Sequence, residues 1–472
     1  MLSEGNIFPR WAPSLNNGYG FPLFTFQYPF PNLIGSFFHF IGFSFVRSVP
    51  LTLALGYTLA LFFSYRWLRT LVTARTAALG TLTGAFVPYW FVDLYVRGSV
   101  GEVWAIAWVF SSLGSIVLGD MYYLSITVGL LIISHNILAM LFVPLLMLYA
   151  FCKRKRSVWF ILLGIGISSW FWIPALYEQR YITGISTVNI FDHFPQLFQL
   201  LIPSWGTGFR GETTGATEMS YQIGIVPLLL FFFATVLFLM KKNIRTIEVK
   251  LSLLGVVMMM FFLQPMSFGI WKFLPILQFV QYPWRLLSLL LITTPLLSTI
   301  IIKQFKFGWL IAVVAVIVTV GYTRPVTYEA RPDAHYLSDP SFTKGSSSLG
   351  NAFTTRWMNG KHVSKERIFS IDHGRIQLMK ASSISYTLNI SAPTESRVTI
   401  PVAYYPGWTV SLDKKIISSE PDKNGLLTFL VPQGSYVTNL YLKFTTLQKM
   451  SVALSILCLS LSTLLYILKK SV

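Results

Sequence analysis

Apolar runs of roughly 15 to 21 residues recur along most of this chain, close to the length an α-helix needs to cross bilayer hydrocarbon. They fall at 48–65, 76–92, 100–118, 121–134, 137–151, 157–176, 220–240, 251–264, 284–302, 307–322 and 449–468, which predicts about eleven crossings. For the short pair at 121–134 and 137–151 one long re-entrant element is the alternative. Between 323 and 448 the texture changes. Ser- and Thr-rich stretches there alternate with runs at 375–381, 385–392, 397–413 and 426–444, whose period-two alternation predicts strands. Turn signals at Pro406-Gly407 and Gly434 separate them. The expected architecture is a polytopic α-helical membrane bundle over 48–322, a small extracytoplasmic β-sandwich over 323–448 inserted before the last span, and a final helix with a basic tail over 449–472. Residues 1–47 form an outer loop, and the Pro-bounded apolar segment 31–45 suits an interfacial helix.

Composition agrees with a membrane class. Of 472 residues, 54% are hydrophobic and only 12% charged, far too apolar for a soluble globule of this size. Two cysteines, Cys152 beside a basic run and Cys458 in a terminal apolar stretch, provide no disulfide framework for an exported domain.

Charge then orients the spans, because basic residues in short loops resist translocation. The loops placed inside hold fifteen Lys and Arg, among them Arg66, Lys153, Arg156, Lys241, Lys303 and Lys470, against only Asp120 and Glu248. The short outer loops balance seven basic residues, Arg210 among them, with seven acids that include Glu212 and Glu218. The formal net charge of +19 therefore reports topology, and it gives no case for nucleic acid, which needs a basic face with base-stacking aromatics. This orientation puts the N-terminus outside with no helix before it, so a preceding membrane helix is expected to be missing from the chain. The same orientation puts the β-domain on the outer side and the C-terminus in the cytoplasm.

Candidate chemistry gathers at the outer loops. The stretch from Asp93 to Glu102 brings two acids and Arg97 within ten residues between two spans. A carboxylate there can act as a base on a hydroxyl and a guanidinium can fork onto a phosphate, and an ion pair orienting the loop is the alternative. A second constellation opens the chain, from Phe8-Pro9-Arg10-Trp11 through Asn17 and Tyr19 to Pro22. Its prolines, glycines and asparagines fix irregular turns that either plug the mouth of the bundle or meet a substrate. A third, 278–285, ends in Tyr282-Pro283-Trp284-Arg285, where Arg285 meets a lipid phosphate or anchors the span at the headgroups. In the β-domain, Tyr404, Tyr405, Trp408 and Tyr436 fit core packing or a glycan platform. The six histidines show no ligand spacing.

The stretch FPRWAPSLNNGYGFPLFTFQYPFP at 8–31, with LYVRGSVGE at 94–102 and QFVQYPWRLL at 278–287, resembles the bacterial membrane proteins known as 6-pyruvoyl-tetrahydropterin synthase-related. The element from Tyr404 to Asp413, followed by Gly434-Ser-Tyr436, is similar to the outer domain of YfhO-like proteins, and both groups resemble GT-C glycosyltransferases. The resemblance implies a GT-C-like bundle that transfers a sugar from a polyprenyl-phosphate donor to an envelope glycan, lipid or protein. It implies Asp93 and Glu102 as catalytic acid/base or divalent-cation ligands, Arg10, Arg97 and Arg285 as donor-phosphate ligands, and Trp11, Asn17, Tyr19, Tyr28 and Tyr95 as substrate contacts. In that family an Asp and a His precede the FPRW motif. Here the chain begins at Met1-Leu-Ser-Glu4, so a fragment or an inactive form is expected. Two other classes stay open: a transporter of lipid-linked glycans, and a noncatalytic envelope scaffold.

Overall fold

The computed structural model describes residues 1–184, 189–206, 219–325, 331–339, 352–358 and 367–470. The outer-loop charges Arg210, Glu212 and Glu218 lie outside the described residues. The chain forms two compact units. A helical unit comprises Tyr28–Ser168, Val188–Ala330 and Ile456–Val472, and a β unit comprises Met1–Gln27, Ser169–Thr187 and Arg331–Ser455. The β unit thus draws in the N-terminal loop and a stretch near 180 as well as the segment that alternates in sequence.

Five helices are long and apolar enough to cross a membrane among the described residues: Phe45–Arg69, Val100–Leu118, Asn136–Lys153, Pro283–Gln304 and Thr446–Leu468. Counting each of two bent helix pairs as one span raises this to seven. Hydropathy located the apolar segments, but length separates full crossings from shorter pieces. The run at 76–92 breaks because Pro88 has no N–H to continue a ladder; helix Ala74–Ala85 stops, and a short turn Pro88–Phe91 leads into the wider π-helical turn Val92–Val96. The run at 251–264 becomes Ile247–Phe262, which bends by 89° into Pro265–Phe273. Met121–Ser134, Ile225–Met240 and Leu310–Tyr322 are shorter apolar helices. The segment expected at the interface contains helix Phe30–Phe40, with Phe37 and Phe40 exposed.

Val100–Leu118 is buried along nearly its whole length and packs against Phe45–Arg69. Gly56 permits the approach: a Cβ there would lie 2.9 Å from the Trp104 indole nitrogen, which donates to the Thr52 carbonyl at 3.1 Å. Gly84 lets Ala74–Ala85 sit on Pro295 in the same way. Glu248 opens helix Ile247–Phe262 and accepts from Tyr149 at 2.9 Å and Lys153 at 2.7 Å, tying that helix to Asn136–Lys153.

In the β unit the strands are β1 (Ser370–Ile371), β2 (Arg375–Ser382), β3 (Ser385–Ala392), β4 (Ser396–Ala403), β5 (Trp408–Leu412), β6 (Lys415–Ile417), β7 (Glu420–Pro421), β8 (Leu426–Val431) and β9 (Gly434–Leu442). They pair antiparallel into two sheets, ordered β1-β4-β8-β7 and β2-β3-β9-β5-β6. The long runs at 397–413 and 426–444 each split into two strands at the turn signals, and a bulge at Met379 interrupts β2 against β3. Leu388, Ile390, Val398, Ile400, Val410, Phe429 and Leu440 from both sheets close one core. Tyr405 and Trp408 lie inside that core, with Tyr404 and Tyr436 packed at its edge, so these aromatics fill the sandwich.

Candidate functional site

The Asp93–Glu102 stretch folds so that its charges converge inside the helical unit. The wide turn Val92–Val96 places Arg97 one turn after Asp93, and Gly98, at φ 58°, reverses the chain into helix Val100–Leu118. Glu102 is thereby in the first turn of a central helix, where the helix dipole favours a carboxylate. Arg97 Nη1 donates to Asp93 Oδ1, and its Nη2 donates to Glu102 Oε1 at 2.5 Å. Arg285, far along the sequence, donates from Nε to the same Glu102 oxygen at 3.1 Å. Tyr89 donates to Glu102 Oε2 at 2.9 Å and accepts from Arg97 Nη1 at 3.3 Å. Asp93 and Glu102 are both fully buried.

Two carboxylates and two guanidinium ions therefore cancel in a closed network. The carboxylates differ in one respect. Both Glu102 oxygens are occupied, whereas Asp93 Oδ2 is buried with no hydrogen-bond partner among the described residues. A buried orphan acceptor of this kind is costly, so it marks a place where a donor is expected to bind.

The supporting shell comes from three further segments. Arg285 Nη1 donates to the Val280 carbonyl and to Gln281 Oε1, both at 2.8 Å. Gln281 sits at φ 65°, ψ −45°, and the Tyr282 N–H closes onto the Val280 carbonyl at 2.7 Å, forming a rare, strained γ-turn that Arg285 holds in place. Arg97 also lies 4.5 Å over the Trp284 ring, a cation–π contact in a water-poor setting. His135 occupies the extended break between Met121–Ser134 and Asn136–Lys153. Its Nδ1 accepts from the Leu138 N–H at 3.1 Å, which assigns the proton to Nε2, 3.8 Å from Glu102. Tyr28 packs on the His135 ring at 5.0 Å, and Tyr95 stacks on Phe91 with its own ring exposed.

Asp93, Arg97, Glu102, Arg285 and Tyr28 are thus brought together, with Tyr95 on the adjoining turn. Arg285 differs from the expectation of a headgroup contact: its Nε and Nη1 are engaged within the unit, so it positions Glu102 and the γ-turn. Tyr89 and His135 carried no expected role in the sequence, and Gln281 and Trp284 stood there only as members of the 278–285 stretch. For His135 the usable signal was the polar triplet Ser134-His135-Asn136 between two apolar runs.

Arg10, Trp11, Asn17 and Tyr19 belong to the β unit. Trp11 and Tyr19, expected to touch substrate, are instead core residues, 1% and 3% exposed. Trp11 meets Trp408 edge-on at 5.6 Å, and Gly20 at φ 72° leaves room for its indole, since a Cβ there would lie 2.3 Å from the ring nitrogen. Their aromatic area is worth more inside the sandwich than at its surface. Asn17 follows Asn16 in the left-handed region, at φ 55° and 56°, the conformation asparagine tolerates best after glycine. Arg10 lies 4.3 Å over the Phe444 ring, with Nη1 buried and lacking a hydrogen-bond partner among the described residues. Burial lowers its guanidinium to about 10, against the pull of Glu178. Glu178 in turn accepts from the Tyr405 hydroxyl and, at 2.7 Å, from Gln448 Nε2.

Among the described residues no group of three His, Cys, Asp or Glu side chains gathers as a metal seat. Both carboxylates of the cluster face guanidinium ions, so these side chains do not form a seat for a divalent cation. No family model, curated protein or solved structure matches this chain.

Proposed function

We propose that this chain is built as a membrane-embedded glycosyltransferase that moves a sugar from a polyprenyl-phosphate donor to an envelope glycan, lipid or protein at the outer face of a bacterial inner membrane. The observation that supports the reading is the unequal use of two buried carboxylates: Glu102 is saturated, and Asp93 keeps Oδ2 open beside Arg97. In this reading Oδ2 takes the proton of the acceptor hydroxyl. The hydroxyl oxygen then bonds to the anomeric carbon as the bond from that carbon to the carrier phosphate breaks. Arg97 stabilises the departing phosphate, and the Glu102–Arg285 pair positions Arg97. Inversion at the anomeric carbon follows from this single displacement.

The test is release of carrier phosphate from a labelled polyprenyl-phosphate sugar incubated with membranes holding the protein. Asp93→Asn should lower release about 10²- to 10⁴-fold, the range for loss of a general base, while leaving the folded protein intact. Unchanged release in Asp93→Asn sinks the assignment.

A second reading is favoured by the way the network closes on itself with its charges balanced: a noncatalytic scaffold in which the cluster locks the helices. In that case the wild-type protein releases nothing and Asp93→Asn changes only stability. Movement of the labelled lipid across the membrane without cleavage would instead mark a transporter.

A further inference from the structure

We infer that the outward face of the five-stranded sheet is a binding surface for an acidic oligosaccharide. The face is defined by β3, where Tyr386, Leu388, Ile390 and Ala392 are buried, so Ser385, Thr387, Asn389 and Ser391 project the other way. Cross-strand pairing extends each of these into a row, because directly paired residues share a face. Thr387 stands between Lys380 and Asn439. Asn389 stands between Gln377 and Val437, and Ser391 between Arg375 and Ser435. Ser385 neighbours Tyr441, which neighbours Thr409.

The chemistry of these rows is unusual for a solvent-facing sheet, which ordinarily mixes lysine with glutamate. Carboxamides and hydroxyls dominate, and each can both donate and accept, as the hydroxyls of a sugar do. They are partly fixed in advance: Thr387 donates to Asn439 Oδ1 at 3.0 Å and Ser435 to Ser391 at 3.3 Å. Adjacent strands set these groups about 4.8 Å apart, comparable with the length of one pyranose unit. Tyr441 adds an aromatic ring at one end of the face, with Lys443 4.7 Å over it.

Charge selects among glycans. The rows contain Arg375 and Lys380 and no carboxylate; two acids at their border are engaged by backbone, Asp413 by the Val437 N–H and Glu4 by the Ser383 N–H. The other sheet behaves differently, pairing its exposed Arg397 with Glu420 at 3.4 Å. Cations with no ion-pair partner among the described residues, on a hydroxyl- and amide-rich face, match a chain of sugars that carries carboxylate or phosphate groups. The inference goes beyond the proposed transfer, since binding requires no turnover.

The experiment is calorimetric titration of the full chain in detergent micelles with a galacturonate pentamer and, separately, with neutral maltopentaose. The acidic pentamer should bind saturably and at least tenfold more tightly than the neutral one. Binding should fall at least tenfold in Asn389→Ala/Asn439→Ala and in Arg375→Ala/Lys380→Ala, with melting curves unchanged. Asp93→Asn should bind like the wild type, so a failed transferase assay and a failed binding assay are read separately. Absence of binding, equal affinity for the two pentamers, or full binding by the double asparagine variant would each overturn the inference, the last by reducing it to nonspecific ion attraction.

Discussion

Each unit buries a glutamate that accepts from a tyrosine, and the two solve the problem of its charge in different ways. In the helical unit Tyr89 donates to Glu102, and two guanidinium ions touch the same carboxylate. In the β unit Tyr405 donates to Glu178, but the second donor is the neutral Gln448 amide, and Arg10 lies near enough only to influence the carboxylate through space. The first arrangement cancels charge at contact. The second solvates it with dipoles, and burial together with the Glu178 charge pushes the Tyr405 hydroxyl well above its ordinary range. The difference teaches that the same residue types in low dielectric can form either an interlocked ion cluster, costly to break by removing a cation or the shared Glu102 charge, or a dipole cage that tolerates neutral replacement.

The comparison can be broken most directly at Arg97. Arg97→Ala leaves Asp93 and Glu102 short of a cation and should destabilise the helical unit by about 3–5 kcal/mol, as for other broken buried pairs. Thermal unfolding in micelles measures this, and a loss below about 1 kcal/mol would make the cluster no tighter than a surface pair. Glu102→Gln keeps an acceptor but removes its charge, and should cost about 1.5–3 kcal/mol, the range for hydrogen bonds to charged groups. The matching change in the β unit, Glu178→Gln, should cost about 1 kcal/mol or less, because a carboxamide oxygen still accepts from Tyr405 or Gln448. Equal losses for the two Glu→Gln variants, read on the same denaturation curves, would erase the distinction.

The smallest effect concerns pH. Glu4 is held below its ordinary value near 4.5 by the Ser383 side chain and N–H. A folded value below the unfolded one means that its contribution is present above about pH 4.5 and fades as pH falls through the lowered value. The gap in melting midpoint between wild type and Glu4→Gln should therefore close between pH 6 and pH 3. A gap that stays constant over that range would deny Glu4 its tie to the β2–β3 turn.

What could be read from sequence depended on how local the signal was. Helices Phe45–Arg69 and Val100–Leu118 follow from apolar runs of crossing length, and the strands from alternation with turn residues at Pro406-Gly407 and Gly434. The meeting of Asp93, Arg97 and Glu102 was visible because all three lie within ten residues. The arrival of Arg285 at Glu102 was not, since 183 positions separate them and only tertiary packing joins them. Trp11 and Tyr19 were misjudged for a related reason: a loop rich in Pro, Gly and Asn looks exposed, and nothing local says that a sandwich core encloses its aromatics. The count of eleven crossings is not confirmed: among the described residues five helices, or seven with each bent pair taken as one, have the length and apolarity of a crossing, and hydropathy alone does not see where a helix stops, as at Pro88.

The bulge at Met379 has a consequence for how copies of this chain coexist. Strand β2 ends its sheet and exposes Leu378 and Met379, the kind of long, partly apolar edge onto which a second chain adds a strand. The bulge throws the hydrogen-bonding groups out of step at that point, and Arg375 and Lys380 place like charges where an identical edge would dock. An identical strand brought to this edge would meet a broken hydrogen-bond ladder and like charge, the two features by which exposed sheet edges resist pairing.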